Sequence, residues 1–549
     1  MSEGARYVRE LAGLREAFPS PDADPLRDAS IADVLADALR RALALKTAAP
    51  QLSGLPRRAG AAAVDARLPV DSQPLPQVID ELLERFHGLP LEVHPRHQVN
   101  VNVQPSTAGL AGVLLPALFN PNLSSDGRGA GCSDAEREVT AMTAALVGYD
   151  PHVASGLFTF GGTGTMLYGV KLGLENAVPG AMQHGLDRPV VVLASERAHH
   201  TCLTAAGWLG IGQRQVWSIP AGEDNAMDCV QLQAAARRAV SEGRRIAAIV
   251  ATVGTTDAFG LDDVAAAAAI RDELVRESRL DYVPHVHADA VIGWAWSVFT
   301  DYDFQRNPLE FDDDARRALE STVARVAGLA QADSLGVDFH KTGFAPYVSS
   351  LLVVRERQMF ERLLRDRETM PYLFHSGAHH PGMYTLETTR SASGVLSALA
   401  SLRMFGRRGL QVLLGHAVAR AQQFRRRLAE RPWAAVVNQR NGGPVTLYRA
   451  YPPGVSPSDA WRREREEAGC GPWSLEVNAF NKRMHAATQT AAKRDAVAGA
   501  GWTERAAVGR DGQPLAALKT YLLSPFLTDE HLDELLNNLD AAYDAASHS

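Results

Sequence analysis

The sequence predicts an α/β protein built on a doubly wound, mostly parallel sheet. From about residue 135, short apolar runs bounded by polar residues have the composition of buried parallel strands, as at Val190–Leu193, Ile246–Ala251 and Leu351–Val354. Alanine-rich stretches of helical length, such as Asp263–Glu277, lie between these runs. Because strands that alternate with helices form parallel sheets, we expect helices on both faces of the sheet.

Three segments are expected along the chain: an N-terminal segment at 1–115, a large domain at 116–395 and a small C-terminal α+β domain at 396–549. The N-terminal segment alternates helix-like stretches with connectors rich in proline, alanine and glycine. The features that predict these segments are the helix Ile31–Leu45, the connector Ala48–Leu68, the helices Gly394–Met404 and Leu410–Ala429, the weak strand Pro444–Arg449 and the last helix Asp529–Ala545.

Composition excludes several classes of protein. The net charge of −7 over 549 residues gives no basic surface for nucleic acid or anionic membrane. No apolar stretch reaches the roughly 18 to 20 residues of a membrane-spanning helix, and the first residues lack the apolar core of a signal peptide, so a cytoplasmic protein is expected. The four cysteines are far apart in sequence, which predicts buried free thiols and no zinc site.

The first segment with chemical potential is Phe160–Thr165, in which Gly162, Thr163 and Gly164 precede a helical stretch. Small residues at the start of a helix let backbone N–H groups and a hydroxyl approach an anion, so this segment is a candidate phosphate site. An ordinary glycine turn has the same composition.

Two further segments follow predicted strands, where ligands of open α/β sheets bind. His199 in Ser195–His200 offers an imidazole that stacks on an aromatic ring, although a capping or surface histidine fits as well. The segment Ala251–Thr256 offers hydroxyl donors and a permissive glycine, and a turn without function is the alternative.

The fourth segment, His285–Ala290, ends a predicted strand with Asp289. A carboxylate in that position can keep a pyridine nitrogen protonated and so make a bound ring an electron sink. Two alternatives remain open: the two histidines and the aspartate bind a metal ion, or Asp289 is structural.

The fifth segment is Asp338–Lys341. Lysine occurs only at positions 46, 171, 341, 482, 493 and 519, and among these only Lys341 follows a predicted strand of the α/β region. A buried amine at such a place suits a Schiff base, for which arginine cannot substitute.

These five segments, in this order, resemble the group II pyridoxal 5'-phosphate (PLP) decarboxylases, the family of glutamate, aromatic amino-acid and diaminobutyrate decarboxylases. The resemblance runs from about Glu136 to Gly409. It implies Gly162, Thr163 and Gly164 at the cofactor phosphate, His199 on the cofactor ring, Thr256 in the cofactor site, Asp289 at the pyridine nitrogen, His340 beside the phosphate, Lys341 as the cofactor lysine and Arg390 at the substrate carboxylate.

The resemblance also implies architecture and activity. The expected fold is that of the fold-type I PLP-dependent transferases, in a homodimer whose active sites lie between subunits and whose N-terminal segments wrap the partner. The implied reaction converts an L-amino acid, a small-molecule substrate, to the corresponding amine and CO2, with no metal ion.

The chain departs from the family pattern at two places before the expected lid. Val291 stands where a small residue usually lies under the ring. Lys341 follows Asp289 by 341 − 289 = 52 positions, which indicates an insertion around Thr300–Ala332. The insertion, with its acidic run Asp312–Asp314, either covers the pocket or forms a solvated surface helix.

The third departure lies in Tyr372–Arg390, where Gly377, Pro381 and Gly382 predict a mobile loop that closes over the neighbouring active site. Relatives carry a proton-donating tyrosine on this loop, whereas here His379 stands near the usual position and Tyr384 lies closer to Arg390. We expect His379 or Tyr384 to deliver the proton; the alternative is that these two side chains and the neighbouring His380 merely face solvent.

Three other functions stay in view. The segment Asp338–Pro346 also resembles the sphingosine-phosphate lyase branch, in which PLP drives a retro-aldol cleavage. A poor proton donor would favour a decarboxylation-dependent oxidative deamination, and an inactive PLP-fold scaffold is the non-enzymatic alternative.

Overall fold

The computed structural model describes residues 6–48, 67–366, 368, 370, 379–495 and 498–548. The chain divides into two compact units, Met1–His94 with Lys493–Ala496 and the remainder. Most of the predicted connector Ala48–Leu68 lies outside the described residues, as do Tyr372 and Gly377 of the predicted loop.

The first unit is helical where it is described. Helix α2 contains the predicted helix Ile31–Leu45, and Pro74 provides an extended N-cap for α3. The three helices are α1 (Arg6–Leu14), α2 (Pro25–Ala48) and α3 (Leu75–Glu84).

The second unit contains a seven-stranded sheet of order β1-β7-β6-β5-β4-β2-β3. Strand β7 runs antiparallel to both neighbours, and the pairs from β6 to β3 are parallel. The strands are β1 (Ser155–Thr159), β2 (Val190–Ser195), β3 (Val216–Ile219), β4 (Arg245–Thr252), β5 (His285–Asp289), β6 (Ser334–Asp338) and β7 (Ser350–Val354). The three apolar runs of the sequence are β2, β4 and β7, which confirms the predicted sheet.

Helices cover both faces of this sheet, so its central strands are buried on two sides. Helix α7 lies on one face against β4, β5, β6 and β7, while α10 and α11 pack on the other face. The helices of this part of the chain are α4 (Thr107–Phe119), α5 (Asp126–Gly129), α6 (Gly131–Val147), α7 (Gly162–Ala177), α8 (Ala181–His184), α9 (Thr201–Trp208), α10 (Cys229–Ser241), α11 (Val264–Ser278), α12 (Asp313–Val326) and α13 (Phe339–Thr342).

The predicted insertion around Thr300–Ala332 contains helix α12, which Asp312 caps by accepting a hydrogen bond from the Ala315 N–H. Helix α12 packs on α14 (Ser393–Ala429), and Asp314 pairs with Arg426 of that helix. The acidic run therefore belongs to a surface helix and does not line the cavity at the carboxyl ends of the strands.

The C-terminal part has an antiparallel sheet of order β10-β11-β9-β8 against its own helices. The predicted helices Gly394–Met404 and Leu410–Ala429 are two halves of α14, which breaks at Gly406 where φ is 57°. The remaining elements are β8 (Ala434–Val436), β9 (Val445–Ala450), α15 (Pro457–Glu466), α16 (Gly471–Asp495), β10 (Gly501–Val508), β11 (Pro514–Tyr521) and α17 (Asp529–Ser547). The predicted small α+β part is thus confirmed. Over the described ranges, every helix is too short or too polar to span a bilayer.

Candidate active site

A cavity of about 260 Å³ lies at the carboxyl ends of β1, β2, β4, β5 and β6. Each of these strands delivers residues to it directly or through the turn that follows, as expected for ligand sites of open α/β sheets. The lining residues are Gly161, Gly162, Thr163, His199, Thr201, Thr252, Gly254, Thr256, Asp289, Val291, Asp338, His340, Lys341, Tyr347 and Val348.

One end of the cavity is the start of α7. Gly161 caps this helix with φ of 105°, a conformation that favours glycine, and the first N–H groups of the helix lack helical acceptors. A Cβ on Gly162 would come within 3.0 Å of Asp338 Oδ2, so glycine lets the start of α7 lie close to that carboxylate. Gly162 and Thr163 line this end, whereas Gly164 packs against Thr159 inside the helix. This end of the cavity is suited to an anion such as a phosphate.

Lys341 lies in the turn after β6, and its Nζ is 2.8 Å from Asp338 Oδ2. Asp338 is buried, and its other carboxylate oxygen accepts a hydrogen bond of 2.5 Å from the Ser350 hydroxyl. The amine of Lys341 is therefore held inside the cavity by a carboxylate that is itself fixed by the neighbouring strand.

Asp289 ends β5 and is buried in the cavity wall. Burial raises the pKa of Asp289 to about 6, although the positive charge of Lys341 opposes this shift. A cation brought by a ligand would lower the pKa again and stabilise the carboxylate. Val291 also lines the cavity, so the branched side chain noted in the sequence does lie in the site.

His199 stands in the wall after β2. The Thr201 backbone N–H donates to His199 Nδ1 at 3.3 Å, so the neutral ring carries its proton on Nε2. Desolvation lowers the pKa of His199 to about 4, with further contributions from His200 and Lys341. The imidazole is thus a neutral ring at physiological pH, which suits stacking on an aromatic ligand.

Two further predicted residues, Thr256 and His340, also line the cavity. Thr256 lines the cavity in the turn after β4. The His340 ring packs against Tyr347 with centroids 4.6 Å apart, and its Nδ1 lies 3.0 Å from the Ser349 carbonyl oxygen. Burial lowers the pKa of His340 despite the nearby Asp338.

Three predicted site residues lie away from this cavity within the same chain. The Arg390 guanidinium is buried against Glu136 and also donates to the carbonyl oxygens of Leu123 and Phe158. These acceptors hold the two terminal nitrogens beside β1, and only the Nε–H lacks a partner among the described residues. Within this chain Arg390 therefore does not reach the cavity, and its role at a substrate carboxylate stays a prediction. His379 and Tyr384 line a separate cavity of about 500 Å³ beside Glu136 and Arg137.

The metal alternative for His285, His287 and Asp289 finds no support in the geometry. His285 Nε2 and His287 Nδ1 each lie 2.8 Å from the Ser334 hydroxyl, under α7. Within the described ranges, no three such side chains converge on a possible metal position.

Several lining residues were not singled out from the sequence: Thr201, Thr252, Gly254, Asp338, Tyr347 and Val348. Asp338 and Thr252 are the last residues of β6 and β4. The strand-end rule that selected Asp289 would have found both, whereas Tyr347 and Val348 reach the cavity through a loop that no periodicity predicts.

The fold and the cavity together define a class of enzyme. The anion cradle, formed by Gly162 and Thr163 at the start of α7, lies in one cavity with the neutral imidazole of His199, the carboxylate of Asp289 and the amine of Lys341. An enzyme that holds a phosphorylated aromatic aldehyde needs these four groups. The family profile described as the pyridoxal-dependent decarboxylase conserved domain matches residues 165–448, just over half of the chain. The chain belongs to this family, and membership confirms the predicted cofactor, PLP.

Two curated relatives show the level of similarity. The L-2,4-diaminobutyrate decarboxylase of Rhizobium meliloti is 29% identical over 346 residues, which are 61% of this chain and 62% of that protein. The L-tyrosine decarboxylase of Levilactobacillus brevis is 27% identical over 228 residues, 38% of this chain and 35% of that protein. The chain thus matches about three fifths of the first relative's length and about a third of the second's.

Solved structures share the fold. The glutamate decarboxylase domain of the diaminobutyrate-pyruvate transaminase and L-2,4-diaminobutyrate decarboxylase from Vibrio parahaemolyticus has a TM-score of 0.73 at 20% identity, over 97% of this chain and 99% of that chain. The Oryza sativa TDC structure with PLP and tryptamine has a TM-score of 0.76 at 17% identity, over 95% of this chain and 99% of that chain. These likenesses confirm the predicted fold class.

Proposed function

We propose that this chain is a PLP-dependent decarboxylase that converts an L-amino acid to the corresponding amine and CO2. The observation that carries the proposal is the placement of the Lys341 amine in one cavity with the buried carboxylate of Asp289 and the anion cradle of α7. When bound, PLP supplies an electron sink for the negative charge left at the α-carbon after CO2 departs.

Each site residue receives a role in this proposal. Gly162 and Thr163 bind the phosphate at the start of α7, with His340 beside it and Gly164 shaping the turn. Lys341 would hold the cofactor covalently, and His199 and Val291 would pack against its ring. Asp289 keeps a proton on the pyridine nitrogen, and Thr256 contributes a hydroxyl to the site. The three-segment division at 1–115, 116–395 and 396–549 remains part of the proposal.

The experiment that tests the proposal is borohydride reduction of the purified protein with PLP, followed by peptide mapping. We expect the label on the peptide that contains Lys341, and no label in Lys341→Ala. Lys482→Ala, which removes an exposed lysine, is the matched control and should label like the wild type. Labelling that persists in Lys341→Ala would reject the assignment.

The reaction and the substrate need a separate assay. CO2 and amine formation should be measured with the common L-amino acids, including 2,4-diaminobutyrate, tyrosine and aspartate, which the names of relatives suggest. Cleavage of a carbon–carbon bond without CO2 release would favour a lyase, and formation of aldehyde with hydrogen peroxide would favour oxidative deamination. Bound PLP without turnover of any substrate would favour a scaffold.

A homodimer with its active site between subunits is part of the proposal. Gly109 and Gly112 of α4 pack on α14, which leaves an apolar face of this helix exposed. Tyr347 and Val348 at the cavity are also largely exposed. The exposed face of α4 consists of Leu110, Leu114, Leu115, Leu118 and Phe119. A second copy of the chain would cover both surfaces.

Sedimentation tests the dimer. The double variant Leu114→Asp/Leu115→Asp should sediment as a monomer, because two charges would be buried in the interface. Val230→Asp, on α10 at another exposed apolar position, should stay dimeric. The proposed compartment is the cytoplasm, where the four free cysteines would remain reduced.

A further inference from the structure

The hydroxyl of Thr252, the last residue of β4, is buried, and none of the roles proposed above uses it. The residue is only 3% exposed and lines the active-site cavity. Among the described residues its Oγ1 has no hydrogen-bond partner. Because a buried polar group without a partner is costly, such a group at an active site points to a ligand or to a neighbour that moves.

The register of the sheet identifies the neighbour. Thr252 pairs with Asp289 across β4 and β5, and Asp289 pairs with Gly336 across β5 and β6. Paired residues of adjacent strands place their side chains on the same face. Since Gly336 has no side chain, Thr252 is the cross-strand side-chain neighbour of Asp289.

The same sheet shows what a hydroxyl does in such a place. Asp338 pairs with Ser350 across β6 and β7, and the Ser350 hydroxyl donates to the Asp338 carboxylate at 2.5 Å. Two buried carboxylates of one cavity thus each have a hydroxyl residue opposite them on the next strand. One of these hydroxyls is engaged, and the Thr252 hydroxyl, which lies opposite the other carboxylate, has no partner among the described residues.

We propose that Thr252 is a positioning residue for Asp289: its hydroxyl donates to the Asp289 carboxylate and keeps it ionised and directed at the cofactor ring. This inference rests on the proposed function, because it assigns Thr252 to the site that holds PLP. Thr252 itself performs no chemistry on the substrate and acts through Asp289.

Electrostatics give the bond a consequence that can be measured. Burial raises the pKa of Asp289 to about 6, and a hydrogen bond to the charged form lowers it. Four other titratable groups lie around Asp289. Asp338 ends β6 and Lys341 follows it, while Cys202 lies on α9 and His287 lies two residues before Asp289 on β5. The pKa of His287 is lowered to about 3 and that of Cys202 is raised to about 12, so neither group titrates between pH 5 and 8.

The experiment compares Thr252→Val, which removes the hydroxyl at nearly constant volume, with Thr252→Ser, which keeps it. PLP affinity of the cofactor-free proteins is measured from pH 5 to 8 by absorbance. In Thr252→Val we expect binding about tenfold weaker near pH 6, with the pH at which affinity declines moved up by about one unit. Thr252→Ser should stay within about twofold of the wild type. Titration of the PLP phosphate is common to all proteins and does not change the comparison.

Two controls separate positioning from structure. Thr322→Val removes a buried hydroxyl of α12 that donates to the Ala318 carbonyl, far from the cavity, and should leave PLP affinity unchanged. In an Asp289→Asn background, Thr252→Val should have no further effect on PLP affinity. If Thr252→Val does not fold, Thr252→Ala replaces it in both comparisons.

The outcomes are distinct. The proposal for Thr252 is overturned if valine binds PLP like the wild type at every pH, if serine is as weak as valine, or if the effects with Asp289→Asn add. Failure of every protein, including the wild type, to form a reducible link at Lys341 would overturn the proposed function as well.

Discussion

The ring of His287 lies directly under Gly169: a Cβ on that glycine would come within 2.3 Å of His287 Nδ1. One turn later, a Cβ on Gly173 would meet the Ala247 carbonyl oxygen at 2.2 Å and His285 Cβ at 2.9 Å. Helix residues four apart and strand residues two apart are both separated by about 6 to 7 Å, so the two glycines and the two histidines match in spacing. This match sets how closely α7, which begins the anion cradle, approaches β5, which ends in Asp289.

Gly169→Ala should therefore disturb both stability and cofactor binding. The added methyl group would overlap a fully buried ring, which costs about 1–3 kcal/mol, and α7 would shift away from β5. Thermal unfolding and PLP titration measure the two effects. Gly131→Ala in α6, where a Cβ would meet nothing within 4 Å, is the control. Equal melting temperatures for the two variants would contradict this account.

Stability should fall steeply in mild acid. Burial lowers the pKa of His285 to about 4 and of His287 to about 3, whereas an unfolded imidazole titrates near about 6.5. The unfolded chain therefore takes up protons first, and stability present above pH 6.5 is lost as pH falls toward 4 at up to about 1.4 kcal/mol per pH unit for each ring.

Melting temperatures at pH 7.5, 6 and 5 measure this loss. His287→Gln should make the dependence on pH measurably shallower, because one of the rings whose pKa is lowered by burial is gone. His184→Gln, an exposed histidine of α8, should leave it unchanged. A melting temperature that stays constant from pH 7.5 to 5 would contradict the prediction.

Sequence reasoning found the elements whose signal is local. Strands β2, β4 and β7 are buried on both faces, so their sequences are unbroken apolar runs. Asp289 ends a strand, and His199 and Lys341 follow strands, at the edge where such sheets bind ligands. Strand β10 was not predicted, because Glu504 and Arg505 interrupt its apolar pattern. The position of Arg390 depends on Glu136, 254 residues earlier, and no local pattern contains that contact.

Arg390→Met tests whether Arg390 is structural. The change leaves Glu136 buried without its partner, which costs about 3–5 kcal/mol, and leaves two backbone carbonyls without donors. We expect a lower melting temperature, partly restored in Arg390→Met/Glu136→Gln, and an unchanged KM in the folded fraction. An unchanged melting temperature with a much higher KM would return Arg390 to the substrate site.

Lys519 should support the cofactor site from the C-terminal sheet. Its Nζ lies 2.8 Å from Asp257 Oδ1, and the Thr503 hydroxyl donates to the other oxygen at 2.8 Å. Asp257 follows Thr256, so the contact fixes the turn that enters the cavity. Lys519→Met should weaken PLP binding several-fold, whereas Lys482→Met, at an exposed lysine that faces Glu504, should not. Equal affinities for the two variants would show that the turn holds its position without Lys519.

His379 and Tyr384 are the two candidates on the loop for the proton donor. Tyr384 stacks on Phe360 with ring centroids 4.8 Å apart, and burial raises its pKa, so it donates a proton poorly where it lies. Burial lowers the pKa of His379, and its backbone N–H donates to Asp126 at 3.1 Å, directly after residues outside the described ranges. Of the two side chains, His379 is the one whose pKa lies on the acid side of neutrality, so we expect it to be the better proton donor.

Amine, aldehyde and hydrogen peroxide should be measured separately for His379→Phe and Tyr384→Phe. We expect Tyr384→Phe to form amine within about twofold of the wild type, because it keeps the stacked ring and loses only a hydroxyl. His379→Phe should form amine more slowly by about 10²-fold or more, the usual contribution of a positioned acid. Without that acid, O2 would have time to take the electron pair left at the α-carbon and be reduced to hydrogen peroxide, and hydrolysis of the resulting imine by water would release aldehyde and ammonia. Aldehyde and peroxide should therefore rise. If both variants form amine at the wild-type rate without aldehyde, neither side chain donates the proton, and another residue supplies it.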